Sequence, residues 1–197
     1  MTPYLVVAFT NSLFYSSFKA EYLMAKRDQE GLGLLLEVAG SMSRQLDIPT
    51  LTETIMEKAR VLTHADRCSL FLVSDDKQRL ITSFQHGLEN SINLPLDKGI
   101  AGMTAKRGEI YNIEDAYANP NFSDATDKAT GYHTKSLLSI PIVNNRGNII
   151  GVTQMINKKD EPTFTKYDIH MLQIFNIFAG ITLENAKLYL SSQTLSE

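Results

Sequence analysis

Hydrophobic positions change their period along the chain, and each change marks an element. Leu34-Leu35-Leu36, Val38-Ala39, Met42 and Leu46 recur on a helical period. Asp47-Ile48-Pro49 ends that helix, because proline disfavours helix in the residue before it. Leu51, Ile55, Ala59 and Leu62 share one face of a second helix, with Thr50 or Thr52 as its cap. The period then drops to two. Cys68, Leu70 and Leu72 alternate with Ser69, Phe71 and Val73, and residues 80–84 read likewise across the polar turn Ser74-Asp75-Asp76-Lys77, which predicts an antiparallel hairpin. Glycine opens a short helix at Gly99 and Gly108 closes it, and residues 109–112 read as a strand. Residues 115–131 are polar, with short helical turns at most. Strands over 136–143 and 148–157 flank the turn Asn144-Asn145-Arg146-Gly147. A long helix from about Lys166 to Ser191 has two apolar faces, Ile169, Leu172, Phe175, Ala179 and Leu183 on one and Ile174, Phe178, Ile181 and Leu188 on another, which implies two partners. The order of elements predicts an α+β domain with a central antiparallel sheet and flanking helices.

The first residues follow a different pattern. No charge occurs before Lys19, and Leu5, Phe9, Leu13 and then Phe14, Phe18, Tyr22 recur at helical spacing. The apolar run over residues 4–9 is too short for a membrane span, which needs ~20 residues, and no basic start or small-residue cleavage site suggests a signal peptide. Residues 1–29 are expected to form a connecting helix with more apolar surface than one domain needs, paired with its copy in a homodimer. The plainer alternative is a core helix packed on the domain.

Composition narrows the function. The 197 residues are 43% hydrophobic and 21% charged, as in ordinary globular proteins. A net charge of −3 offers no basic excess for nucleic acid or an anionic membrane surface. The single cysteine, Cys68, excludes an intrachain disulfide and fits a reducing, cytoplasmic setting. Its place in an alternating strand fits a small core residue better than a nucleophile. The four histidines have no metal-ligand spacing, and no nucleophile elbow, phosphate loop or dinucleotide fingerprint occurs. Residues 99–102 open a helix whose free backbone N–H groups can receive an anion, a weak signal by itself.

Several stretches occur together: Asp66-Arg67-Cys68-Ser69-Leu70-Phe71-Leu72; Lys98-Gly99-Ile100-Ala101-Gly102; Asn112-Ile113-Glu114-Asp115-Ala116-Tyr117-Ala118-Asn119-Pro120-Asn121-Phe122; Thr130-Gly131-Tyr132-His133-Thr134-Lys135-Ser136; Ile150-Gly151-Val152; and Asn157-Lys158. In this order and spacing they resemble the GAF domains of cyclic-nucleotide phosphodiesterases and cyclases, over roughly residues 32–190. The domain is drawn at 30–191, with 192–197 as a tail and 1–29 as the possible end of a preceding domain of the same kind. The resemblance implies a lysine–aspartate pair bracing the pocket from behind. The family's motif reads here Asn157-Lys158, Phe164 and Asp168, with Ile169 where the family has glutamate.

Carried over position by position, the resemblance implies a pocket in which Ser69 and Phe84 sit beside a base, Phe84 as its apolar face. Ile100 and Ala101 offer backbone to the phosphate or ribose, and Tyr117 lines the sugar side. Asp127, Thr130 and Thr134 belong to the segment that folds over the ligand. Positions that can hold carboxylates in cyclic-GMP-binding relatives are Gln85 and Gln154 here. An amide both donates and accepts, which favours adenine slightly; either glutamine could equally be a solvent-facing strand residue. No arginine is expected near the phosphate, so the helix start at residue 99 is the expected source of donors. The implied function is a regulatory module that binds cyclic AMP or cyclic GMP, with a lean to cyclic AMP, and controls a catalytic domain outside this chain. The parent is then a cyclic-nucleotide phosphodiesterase, with no catalytic residues, metal or further cofactor in this fragment. The alternative is a ligand-free module serving dimerisation only.

Overall fold

The computed structural model describes residues 28, 29, 31, 33, 48–86 and 93–194. Packing divides the chain into 1–37 and 38–197, and the sheet and its helices belong to the second unit. The helix read over 34–46 and, but for residues 28 and 29, the connecting helix over 1–29 lie outside the described residues, as do the side chains of Leu51 and Leu188.

Helix α1 (Ile48–Leu62) starts before either expected cap, with Pro49 in its first turn, where a missing N–H leaves no hydrogen bond unmade. It buries Ile55, Met56 and Ala59. Strand β1 (Ala65–Val73) and β2 (Arg79–Gln85) form the expected hairpin. The short β3 (Asn93–Pro95), unforeseen in the sequence, ends on a proline and sits at the sheet edge, where the lost donor is tolerated. Next come α2 (Gly99–Arg107), β4 (Tyr111–Ile113), α3 (Ala125–Thr130), β5 (Leu137–Val143), β6 (Ile149–Lys158) and α4 (Lys166–Thr194). Helix α4 runs to Thr194, so residues 192–194 continue the helix.

The six strands run β3-β2-β1-β6-β5-β4, every pair antiparallel. Residues directly opposite in such pairs share a face, so the register sorts the side chains. Cys68 and Leu70 on β1, Met155 and Thr153 on β6, and Leu138 and Ile140 on β5 fall on one face. That face meets α1 and α4, where Cys68 Sγ lies 3.8 Å from the Met56 carbonyl and Thr153 donates to Asn176 at 2.9 Å. Burial pushes the Cys68 thiol up to about 12. The opposite face carries α2, whose Ala101 and Ala105 pack with Phe71, Leu80 and Val152. Gly102 permits this packing, since a Cβ there would come within 2.7 Å of the Leu96 carbonyl oxygen.

One irregularity matters for function. Leu70 pairs with Phe84 but Phe71 with Thr82, so Ser83 is an extra residue bulged out of β2. The bulge reverses the alternation expected from residues 80–84. Phe84 falls on the helix-packed face, opposite Leu70, while Gln85 pairs with Ser69 on the other.

Candidate functional site

A cavity of about 210 Å³ opens on the α2 side of the sheet, between β1, β6, the start of α2 and the segment around α3. Its floor is one row of the sheet with its neighbours. Ser69 pairs with Gln154 and Gln154 with Ser139, so polar groups stand abreast on three adjacent strands. All three are buried. The row on one side is apolar, Phe71 with Val152, and the row on the other sets Arg67 beside Ile156 and Leu137. Leu94, Pro95 and Phe122 add apolar wall.

The start of α2 forms one end. Lys98 is extended, and Gly99 begins the helix at φ +70°, a conformation that suits glycine; the first turn, whose N–H groups have no partner within the helix, borders the cavity at Gly99, Ile100 and Ala101. Arg67 and Lys98 also line it. The Arg67 guanidinium stacks 3.6 Å from the centroid of Tyr132, a cation–π contact, and among the described residues it forms no ion pair. Asp127, the carboxylate on the wall, is already answered: it accepts from the Thr134 N–H at 2.6 Å, the Thr134 hydroxyl at 2.8 Å and the Tyr117 hydroxyl at 3.0 Å. His86 also borders the cavity and pairs with Glu57 at 2.6 Å. Two cations, Arg67 and Lys98, against the one carboxylate of Asp127 leave the lining with an excess of positive charge.

Ser69, Ile100, Ala101, Asp127, Thr130, Thr134 and Gln154 come together as wall residues. Phe84, Gln85 and Tyr117 do not. The β2 bulge turns Phe84 away, and Gln85 shares Ser69's face without reaching the cavity wall. Tyr117 is 48% exposed and lies outside the cover, stacked on His133 at 4.8 Å, where its hydroxyl steadies Asp127. Burial, helped by Asp127, pushes its phenol up. Thr134 is not an exposed lid residue; its hydroxyl is committed to Asp127. The expectation of no arginine at the site is corrected by Arg67, which lines the cavity and, two residues before Ser69, shares its face by the alternation of β1.

Tyr132, also missed, ties the cover to the sheet. Its hydroxyl donates to Asp66 at 2.9 Å and accepts from Asn157 Nδ2 at 2.8 Å. Burial first, then the Asp66 carboxylate, pushes its phenol up, and the same hydrogen bond chiefly holds Asp66 below the usual carboxylate range. Asn157, at φ +57°, also accepts from the N–H groups of Lys135 at 2.6 Å and Ser136 at 3.2 Å and donates to the His133 carbonyl at 2.8 Å. Its neighbour serves the other side of the sheet. Lys158 Nζ lies 2.9 Å from Asp168 Oδ2 in a fully buried pair and donates to the Thr63 carbonyl at 2.9 Å. Asp168 further accepts from the Thr165 N–H and hydroxyl, both at 2.8 Å, and returns its own N–H to Thr165 at 3.2 Å, so it caps α4 while holding Lys158. Phe164 is buried beside them. Among the described residues no group of His, Cys, Asp or Glu could hold a metal ion, and no helix is long and apolar enough to cross a membrane.

The sheet order and its flanking helices are matched by the GAF domain family profile over residues 47–183, so the chain belongs to the GAF family. It is 38% identical over 192 residues to the dual 3',5'-cyclic-AMP and -GMP phosphodiesterase 11A of Takifugu rubripes, a match taking in 91% of this chain and 21% of that protein. The chain thus spans about a fifth of that relative's length. Among solved structures it shares its fold with the GAF domain of a phosphoenolpyruvate-protein phosphotransferase from Coxiella burnetii, at TM-score 0.74 and 18% identity over 83% of this chain and 98% of that one. Free methionine-R-sulfoxide reductase from Neisseria meningitidis has the same fold at TM-score 0.66 and 14% identity, over 79% of this chain and 89% of that one.

Proposed function

We propose that this chain is a regulatory module that binds a cyclic nucleotide, cyclic AMP somewhat better than cyclic GMP, and controls a catalytic domain outside it in a 3',5'-cyclic-nucleotide phosphodiesterase. The observation that carries this reading is the cavity's division of chemistry. Apolar walls suit the faces of a planar base, and a polar row on the floor suits its edge. The α2 start and Arg67 suit a single negative charge. Similarity to a cyclic-AMP and cyclic-GMP phosphodiesterase supports the same ligand class.

Control follows from where the cover is fastened. A ligand that bridges floor and cover favours the closed arrangement by its differential affinity for it. Adjacent residues of β6 then connect cover and terminal helix: Asn157 grips residues 132–136, and Lys158 grips the first turn of α4 through Asp168. A homodimer through the terminal helices fits the outer face of α4, where Ile177 and Ile181 are exposed beside half-buried Ile174 and Phe178. The domain would work in the cytoplasm, where cyclic nucleotides are made and consumed, and the alternative of a ligand-free dimerisation module is the outcome the test must discriminate. Titration calorimetry of the chain with cyclic AMP and cyclic GMP decides: saturable one-site binding of either supports the reading, and no heat with either at millimolar nucleotide overturns it.

A further inference from the structure

The cyclic-nucleotide reading brings one negative charge into the cavity, and the inference that follows, which rests on that reading, concerns what readies the site to meet it. Of the two cations in the lining, Lys98 is exposed and Arg67 is half-buried. Arg67 pairs with Ile156 and Ile156 with Leu137, and Ile100 of the α2 start packs on Leu137 and Ile156. The row that begins at Arg67 therefore passes beneath the first turn of α2, which brings a cation and unpaired N–H groups to one end of the cavity.

A free arginine side chain loses much rotamer freedom when it grips an anion, unless something has ordered it beforehand. Tyr132 does so. The Arg67 Cζ lies 3.6 Å from the centre of the Tyr132 ring, already at van der Waals separation, so the guanidinium has room only to lie flat on it. The five N–H donors lie in the guanidinium plane, so the ring takes a face and none of the donors. Among the described residues Arg67 makes no hydrogen bond and no ion pair, which leaves those donors for a ligand. The ring is itself fixed from its far end, where the hydroxyl donates to Asp66 at 2.9 Å and accepts from Asn157 Nδ2 at 2.8 Å.

We propose that Tyr132 is a positioning residue for the ligand's charge, whose ring holds the Arg67 guanidinium flat with its donor edge open to the phosphate of a cyclic nucleotide. Part of the ordering of Arg67 is then complete before the ligand arrives. Tyr132 comes from the cover and Arg67 from the floor, so recognition of charge and closure are one event. An anion held by the ordered guanidinium favours the arrangement that keeps the ring against it, and a cover lifted from the sheet leaves Arg67 to lose its orientation.

Dissociation constants for cyclic AMP and cyclic GMP, measured by calorimetry on the parent chain, Arg67→Met, Tyr132→Leu, the double variant and Tyr132→Phe, test this. Tyr132→Leu should weaken binding about fivefold, as loss of a partly desolvated cation–π contact would. With Met at position 67 the same change should cost no more than about twofold, because the ring acts through the guanidinium. Tyr132→Phe keeps the ring and should stay within about twofold of the parent. A double variant about fiftyfold weaker than the parent, the tenfold and fivefold effects multiplied, means that the ring serves only the cover and overturns the proposal. Tyr132→Phe as weak as Tyr132→Leu also overturns it, since the hydroxyl tie would then carry the effect. If Tyr132→Leu fails to fold, Arg67→Lys decides. An ammonium keeps the charge but has no plane for the ring to orient, so binding should weaken about fivefold, and parental affinity in Arg67→Lys overturns the proposal. A parent chain that binds neither nucleotide overturns the cyclic-nucleotide reading itself.

Discussion

On the helix-packed face of the sheet, Leu70, Leu138 and Met155 have no exposed surface, and α4, which buries Leu172 and Phe175, is tied to that face by Asn176. On the other face, one residue along the same strands, stand Ser69, Ser139 and Gln154 beneath a cavity. The contrast follows from alternation alone, because successive strand residues point to opposite faces. One strand can thus hold the domain together and receive a ligand without either task constraining the other, since a substitution acts on the face to which its position belongs. Charge divides in the same way. Lys158 and Asp168 are paired and buried behind the sheet, whereas Arg67 stands at the cavity with an aromatic ring as its neighbour.

The strongest challenge to that division is Asp168→Ala, which strands the Lys158 ammonium in the interior. It should cost about 3–5 kcal/mol in urea unfolding, and the double change Lys158→Met with Asp168→Leu should regain much of that. Phe84→Ala comes next and tests the bulge. On the helix-packed face it should lower stability by about 1–3 kcal/mol while leaving the affinity of the folded protein for cyclic nucleotide within about twofold. A large loss of affinity at full stability would put Phe84 back beside the ligand. Arg67→Met should do the reverse, weakening nucleotide binding about tenfold, as expected for a charged hydrogen bond, with stability changed by about 1 kcal/mol or less. The smallest effect is one of pH. Because Tyr132 holds Asp66 below its ordinary value of 3.8, Asp66 contributes stability above that value, and the contribution fades as pH falls through the lower folded value. Tyr132→Phe should therefore raise the Asp66 titration midpoint, followed by carboxyl NMR, and its destabilisation relative to the parent should shrink in acid.

The elements of the domain were legible wherever a single period ran long enough. The hairpin of β1 and β2, the closing pair β5 and β6, the glycine-framed α2 and the two-faced α4 all stand close to where the hydrophobic pattern puts them. Elements fixed by tertiary pairing were not. Strand β3 is three residues with a proline and becomes a strand only because β2 offers its edge. Pocket positions inferred by resemblance on a regular element fared better geometrically than those beyond an irregularity: Ser69, Ile100, Ala101 and Gln154 reach the cavity, but Phe84 lies past a bulged serine that no alternation rule announces. Thr134 and Asp127 were legible as neighbours of the site but not as partners of each other, since the hydrogen bonds between them depend on how the cover folds back. Arg67 was legible from its place two residues before Ser69 on β1, whereas Tyr132 reaches the site only through contacts of the cover with the sheet, its stacking on Arg67 among them.

The polar row also has a consequence for assembly of the sheet during folding. A slip of β6 by one residue against β1 would turn every side chain to the wrong face, and hydrophobic burial alone resists that. A slip by two preserves the faces and is the harder error to reject, since an aliphatic strand pairs almost as well two residues along. Here such a slip would set Gln154 against Arg67 or Phe71 and Ser139 against Val152 or Ile156. Each buried polar group left without its partner costs about 1–3 kcal/mol, comparable to the gain from a buried aliphatic side chain. Strands mispaired in this way therefore separate more readily than the native ones, and the cavity floor selects its own register before any ligand arrives.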